Sequence, residues 1–247
     1  MKFSLREVVA YSAQGRRQYQ QDDLLVTARL LVVADGLGGH VGGEVASANA
    51  VAAARAYVAA HPPAVVDATG SGAWGAGLAE VCHRALLDCL DERPELLGMG
   101  TTLIAAASTA AGLLIVQVGD SRAYVVSRDL AYVRATTDHS VYEESIASGE
   151  ATPEEAASNL MGGMLTQSLI ADPFHRFAPT VTVLDDVPPG SRLLLCSDGV
   201  LEAWRDERML CELLAEGETT GEIAAVLCQG ASMISRDNHT AVVGEVG

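Results

Sequence analysis

The sequence predicts an α+β fold, with mainly antiparallel sheets and helices laid on their outer faces. Three observations carry this. Short apolar runs bounded by Gly, Asp or Pro recur along the chain. Two long helical stretches stand next to each other between the early runs, instead of alternating with strands one by one. The chain has 247 residues, 49% hydrophobic and 19% charged, enough for a large core. No repeat, low-complexity tract or charged linker divides it, so residues 1–247 are expected to form a single domain.

The expected strands, in order, are Leu24–Ala28, Leu30–Ala34, Thr102–Ala107, Leu113–Val118, Ala123–Val126, Thr180–Leu184, Arg192–Cys196 and Thr240–Val246. The first long helix is Glu44–Ala60, Ala-rich and stopped by Pro62-Pro63. The second is Ala76–Glu92, where Leu78, Val81, Cys82, Ala85, Leu86, Cys89 and Leu90 recur at helical spacing. Thr152-Pro153-Glu154-Glu155 is a helix start, with Thr as N-cap, Pro at the first position and Glu at the third. A last helix is expected near Glu222–Ile234.

Charge and composition exclude several functions. Acidic residues outnumber basic ones 32 to 16, a formal net charge of −16. A nucleic-acid binder needs a basic footprint, and an anionic membrane surface repels such a chain. The N-terminus carries Arg6 and Glu7 where a signal peptide needs its apolar stretch. The uncharged run Leu96–Gly119 has the length of a membrane span, but it splits at Thr109-Ala110-Ala111-Gly112 and reads as a buried β-hairpin. The five cysteines form no CxxC, so free buried thiols and a cytoplasmic location are expected.

Three apolar runs end in Asp: Leu-Leu-Val-Val-Ala-Asp35-Gly36, Leu-Leu-Ile-Val-Gln-Val-Gly-Asp120-Ser121 and Leu-Leu-Leu-Cys-Ser-Asp198-Gly199. Asp237 stands just before the closing strand, and Asp22 before the strand leading toward Asp35. A carboxylate at the end of a buried strand emerges where neighbouring strands bring their ends together. Several converging carboxylates repel one another unless divalent cations neutralise them. Oxygen ligands without His or Cys select hard ions such as Mg²⁺ or Mn²⁺. An Asp-Gly after a single strand is most often only a turn; three such strand ends together point to a metal site.

Other features are more equivocal. The glycine-rich stretch from Asp35 to Gly43 precedes a helix, yet matches neither phosphate-loop pattern and is also a plain tight turn. Arg16 and Arg17 lie close before Asp22. A guanidinium grips phosphate bidentately, but a solvated surface pair fits the spacing equally well. Gly119-Asp-Ser121-Arg-Ala123 approximates a nucleophile elbow, and the order Ser121, Asp198, His239 is that of a hydrolase triad. An elbow needs a helix directly after its serine, whereas here a strand is expected.

Together these residues resemble a known family. Arg17 with Gln20-Gln21-Asp22, Ala34-Asp35-Gly36-Leu37-Gly38-Gly39-His40, Gly100-Thr101-Thr102, Val118-Gly119-Asp120-Ser121-Arg122, Asp138-His139-Ser140, Leu165-Thr166, Cys196-Ser197-Asp198-Gly199 and Asp237-Asn238-His239-Thr240 are similar to the metal-dependent serine/threonine protein phosphatases (PPM, or type 2C) in their compact bacterial form. The resemblance runs from about residue 10 to 246. Each motif is weak alone; all of them in the family's order are specific.

The resemblance implies two stacked antiparallel sheets flanked by helix pairs, a four-layer αββα sandwich. It implies that Asp35 bridges two Mn²⁺ or Mg²⁺ ions, with the Gly36 carbonyl as a further ligand. Asp198 and Asp237 would hold the first ion, Asp22 the second, and Asp120 with Asp198 a third, weaker one. Arg17 corresponds to the phosphate-binding arginine, and the segment from about 141 to 172 to a flap beside the site. A general acid could be His40 or a water. Implied partners are phosphorylated proteins and a Ser/Thr kinase whose action is reversed. The rival in another class is a phosphoprotein-binding module with little turnover, marked by loss of the site aspartates, all of which are present. Two departures stand out. Gln20 replaces the usual Asn, and Gln167-Ser168-Leu169-Ile170 replaces Arg-Ala-Leu-Gly after Leu165-Thr166, which leaves the end of the flap open.

Overall fold

The computed structural model describes residues 3–37 and 42–247, with the side chain of Arg134 left aside. Its strands are β1 (Leu5–Ala13), β2 (Asp23–Val26), β3 (Leu30–Ala34), β4 (Gly36–Leu37), β5 (Gly100–Thr101), β6 (Leu103–Ser108), β7 (Leu113–Val118), β8 (Arg122–Val126), β9 (Val133–Ala135), β10 (Leu169–Ile170), β11 (Thr180–Leu184), β12 (Arg192–Cys196) and β13 (His239–Val246). The helices are α1 (Gly43–Ala60), α2 (Ser71–Glu92), α3 (Val141–Ala147), α4 (Pro153–Ser158), α5 (Asp198–Leu201), α6 (Glu207–Glu216) and α7 (Thr220–Ile234). Two five-stranded sheets have the orders β11-β7-β6-β3-β2 and β1-β13-β12-β8-β9, and a small third one is β10-β5-β4. Every pairing is antiparallel.

Side-chain alternation sorts the core into three layers. Leu31, Val33, Ile104, Ala106 and Ile115 meet Ala123, Val125, Leu193, Leu195 and Val242 between the sheets. The alternate residues Leu30, Val32, Ala105, Leu114 and Val116 pack under α1 and α2. On the other side, Tyr124, Leu194, Cys196 and Val243 pack under α6 and α7. The result is the expected four-layer αββα sandwich. Strands covered on both faces read in sequence as unbroken apolar runs, because neither face meets water.

The expected elements are present with shifted ends. The hairpin forms from β6 and β7, and Thr109 closes its turn by accepting from the amides of Ala111 and Gly112 at 3.1 and 3.0 Å. Thr152 caps α4 in a full capping box with Glu155. The second helix starts earlier than expected, at Ser71, and the last one at Thr220. The sequence reading passed over β1, α3 and α6. No described helix is long and apolar enough to cross a membrane, and all five cysteines are free.

Candidate metal centre

The register of the sheets explains why distant aspartates meet. Ala34 at the end of β3 pairs with Asp23 at the start of β2. Leu103 at the start of β6 pairs with Val118 at the end of β7. In the second sheet Cys196, ending β12, pairs with both Ala241 and Arg122, near the starts of β13 and β8. The turns holding Asp22, Asp35, Asp120, Asp198 and Asp237 therefore all lie at one end of the sandwich.

The site is tied down by groups whose roles the sequence did not reveal. Thr102 Oγ1 accepts from the Asp35 amide at 3.0 Å and shares a 2.7 Å hydrogen bond with Ser121 Oγ. Ser197 Oγ donates to Asp22 Oδ2 at 2.8 Å and accepts from the Thr240 amide at 3.0 Å, linking the two sheets. Asn238 gathers the loop before β2: its Nδ2 donates to the carbonyls of Gln14 and Tyr19 at 2.7 and 2.9 Å, and its Oδ1 accepts from the Gln21 amide at 2.9 Å. All four residues lie in motifs visible in the sequence, but only these contacts assign them work. Two glycines are required by close approach. A Cβ on Gly199 would stand 1.9 Å from the Asn238 carbonyl oxygen, and one on Gly36 2.3 Å from that of Gly43.

The electrostatics are those of acid left without a counter-charge. Burial, and then the charges of Asp22, Asp198, Asp120 and Asp237, raise Asp35 well above the usual carboxylate range. Burial is also the main cause that raises Asp22. It carries Asp198, with help from Asp120 and Asp237, up to about 7, and Asp120, with help from Asp138, up to about 6. The Asp22 Oδ1 and Asp198 Oδ1 atoms are sealed from solvent and accept no hydrogen bond from the described residues. Buried, mutually repelling carboxylates with orphaned oxygens fit hard divalent cations. Among the described residues no three acidic, histidine or cysteine side chains are already closed up as a cage for an ion. Their mutual repulsion opposes such closure.

The remaining candidates fall out as follows. Arg17 forms an ion pair with Asp237, its side chain half exposed. His40 and the glycines beside it lie outside the described residues. Ser121 is fully buried and leads into β8, not a helix, so no nucleophile elbow exists. His239 is occupied too, facing Tyr11 Oη at 3.1 Å through Nε2 and the Asp237 carbonyl at 3.1 Å through Nδ1. Between Ser140 and Leu165, which form an isolated bridge, residues 141–164 build α3 and α4. Beyond them, Leu169–Ile170 pairs with Gly100–Thr101, and the Ile170 carbonyl faces His83 Nε2 at 2.8 Å. Ile170, standing where the family has Gly, is thus accommodated in a short regular strand paired with Gly100.

The comparisons agree with this architecture. A family model described as protein phosphatase 2C matches residues 11–227. The serine/threonine protein phosphatase PstP of Mycobacterium tuberculosis is 32% identical over 245 residues, which cover 97% of this chain and 45% of that protein. The chain therefore spans about half the length of that relative. The serine/threonine phosphatase stp of Listeria innocua is 29% identical over 216 residues, covering 87% of this chain and 82% of that one. Among solved structures, the catalytic domain of PstP in complex with two manganese ions superposes with a TM-score of 0.81 at 32% identity, covering 99% of each chain. A four-layer sandwich whose strand ends gather carboxylates, matched by the family model over most of its length, places this chain in the protein phosphatase 2C family.

Proposed function

We propose that the protein is a metal-dependent protein serine/threonine phosphatase, hydrolysing phosphoserine and phosphothreonine monoesters. The observation that carries this is the convergence of buried, mutually repelling carboxylates, two with orphaned oxygens, at one end of a sandwich of this family. In this reading Asp35 and the Gly36 carbonyl would contribute ligands to Mn²⁺ or Mg²⁺ ions; Asp198 and Asp237 would help hold one, Asp22 another, and Asp120 with Asp198 a third. Bound there, such cations acidify water toward neutrality and offset the charge of the phosphoryl oxygens.

The chain's own residues do the rest. Arg17 binds and orients the phosphate, exchanging the Asp237 carboxylate for a phosphoryl oxygen; both are anionic acceptors for the same fork of N–H donors. Ser197 and Thr102 hold Asp22 and the Asp35 backbone in place through the reaction. No side-chain nucleophile takes part, in keeping with the buried, bonded Ser121. The segment 141–172 acts as a flap that selects among phosphorylated proteins. A cognate Ser/Thr kinase and a cytoplasmic location complete the proposal.

The test is release of phosphate from a phosphothreonine peptide at graded Mn²⁺. Asp35→Asn removes the Mn²⁺-dependent activity, Ser121→Ala keeps much of it, and EDTA abolishes it. An active Asp35→Asn protein, or indifference to EDTA, would sink the reading. Calorimetric Mn²⁺ binding by the same variants separates lost metal from lost chemistry.

A further inference from the structure

His239 belongs to no triad, yet it is 1% exposed and bonded at both ring nitrogens. Its Nδ1 stands 3.1 Å from the carbonyl oxygen of Asp237. A carbonyl only accepts, so Nδ1 carries a hydrogen and donates it. The other donor to that oxygen among the described residues, Ser235 Oγ, is at a longer 3.4 Å. On the far side of the ring, Nε2 faces the hydroxyls of Tyr11 in β1 and Ser232 in α7 at 3.1 and 3.3 Å. The Tyr11 ring also lies against it, with 5.6 Å between centroids. The imidazole is thus held by a strand and a helix, and it holds the turn before β13.

The loop of Arg17 rests on that turn. β1 ends where Ala13 pairs with His239. Two residues on, the chain crosses the Asp237 carbonyl: a Cβ on Gly15 would stand 2.0 Å from its oxygen and 3.2 Å from His239 Nδ1. Asn238 ties both ends of the loop, through the carbonyls of Gln14 and Tyr19. Within it, Gln14 Nε2 donates to the carbonyls of Arg17 and Gln18 at 2.8 and 3.0 Å, so the loop is closed on itself as a unit. One of its anchors is expendable. The Arg17–Asp237 ion pair is half exposed, and phosphate competes for the same guanidinium. The hydrogen bond from the buried ring of His239 meets neither competitor.

We propose that His239 is a positioning residue for Arg17: through the Asp237 carbonyl it keeps the loop in place when the guanidinium leaves the Asp237 carboxylate for a phosphoryl oxygen. The tether itself stands apart from the phosphatase reading; only its use, presenting Arg17 to phosphate, rests on that reading.

Two substitutions divide what the ring does. His239→Phe keeps a ring and loses the donor. His239→Asn loses the ring but keeps an amide nitrogen at the same number of bonds from Cα as Nδ1. The first measurement needs no metal. Trypsin cuts after Arg16 and Arg17 when the loop opens, and the rate tracks the population of the open form. In EDTA, His239→Phe is expected to be cut there about fivefold faster than the parent, the factor one net hydrogen bond provides, with cutting after Arg84 on α2 unchanged. His239→Asn is expected to bring the rate back to within about twofold of the parent. In saturating Mn²⁺, His239→Phe should raise the KM for a phosphothreonine peptide by a similar factor, with kcat changed less than about twofold. In an Arg17→Ala background it should raise KM no further, since the two residues act in one line.

The tether is overturned if the three proteins are cut alike, if His239→Asn is cut as fast as His239→Phe, or if cutting after Arg84 rises in step, which marks general loosening. The positioning of Arg17 is overturned if KM stays at the parent value, or if it rises as much without Arg17 as with it. A parent chain without Mn²⁺-dependent activity counts against the phosphatase reading instead, and the cutting rates still decide the tether.

Discussion

Two sets of carboxylates lie within one end of this molecule and are treated differently. Asp138 is met by Arg122, whose Nε and Nη2 donate to its two carboxylate oxygens at 2.6 and 2.8 Å, with Glu207 taking a further N–H at 3.0 Å. Among the described residues, Asp22, Asp35, Asp120 and Asp198 form no such ion pair. Their ionisation is pushed up by burial and by one another. At Asp138 the chain supplies the cation itself. At the open charges the proposed function assigns that task to an added divalent cation.

That contrast can be broken most sharply at Asp35. Replacing it by Asn is expected to cost roughly 10²–10³-fold or more in Mn²⁺-dependent turnover. The same change removes one of the repelling charges, so the metal-free protein should melt higher than the parent. A lower melting temperature in EDTA would show that Asp35 is structurally paired after all. Asp138→Asn should behave oppositely. It strands a partly buried guanidinium and should destabilise the fold by about 2 kcal/mol, the upper range being moderated by Glu207 and partial exposure, as read from urea unfolding.

A smaller effect is expected from pH. In the metal-free protein the site carboxylates bind protons more tightly folded than unfolded. The native state then holds more protons between about pH 4 and about 7, where Asp198 titrates. Stability should accordingly fall as pH rises through that window, and saturating Mn²⁺ should flatten or reverse the slope. Stability that rises steadily over the same range without metal would contradict the open-charge account. The smallest effect belongs to Arg17→Ala. Its pair with Asp237 is half exposed, so the change in unfolding free energy should stay within about 1 kcal/mol, whereas the KM for phosphopeptide should rise.

What the sequence disclosed follows the same physics. β3, β6, β7 and β12 were legible because both their faces are covered, leaving runs that are apolar save for one residue each in β6 (Ser108), β7 (Gln117) and β12 (Arg192). β1 was missed because it is an edge strand, half-buried, carrying Arg6 and Glu7 at a bulge in its pairing with β13. α3 was missed because none of its residues is buried, so it shows no apolar stripe. The five aspartates were legible as strand ends. Asn238, Ser197 and Thr102 were not assigned roles, because each has a partner more than 60 positions away, across pairings that the sequence alone does not state.

The layer between the sheets has one more consequence. Asp22 and Asp35 hang from the first sheet, Asp198 and Asp237 from the second. The interlocking of Leu31, Val33 and Ile104 with Leu193, Leu195 and Val242 is then the gauge that sets the two halves of the centre opposite each other. A slip of the sheets by a single residue, about 3.3 Å, exceeds any coordination distance in a hard-ion site. Wear in that hydrocarbon seam should be felt as misalignment at the far end of the strands well before the sandwich itself comes apart.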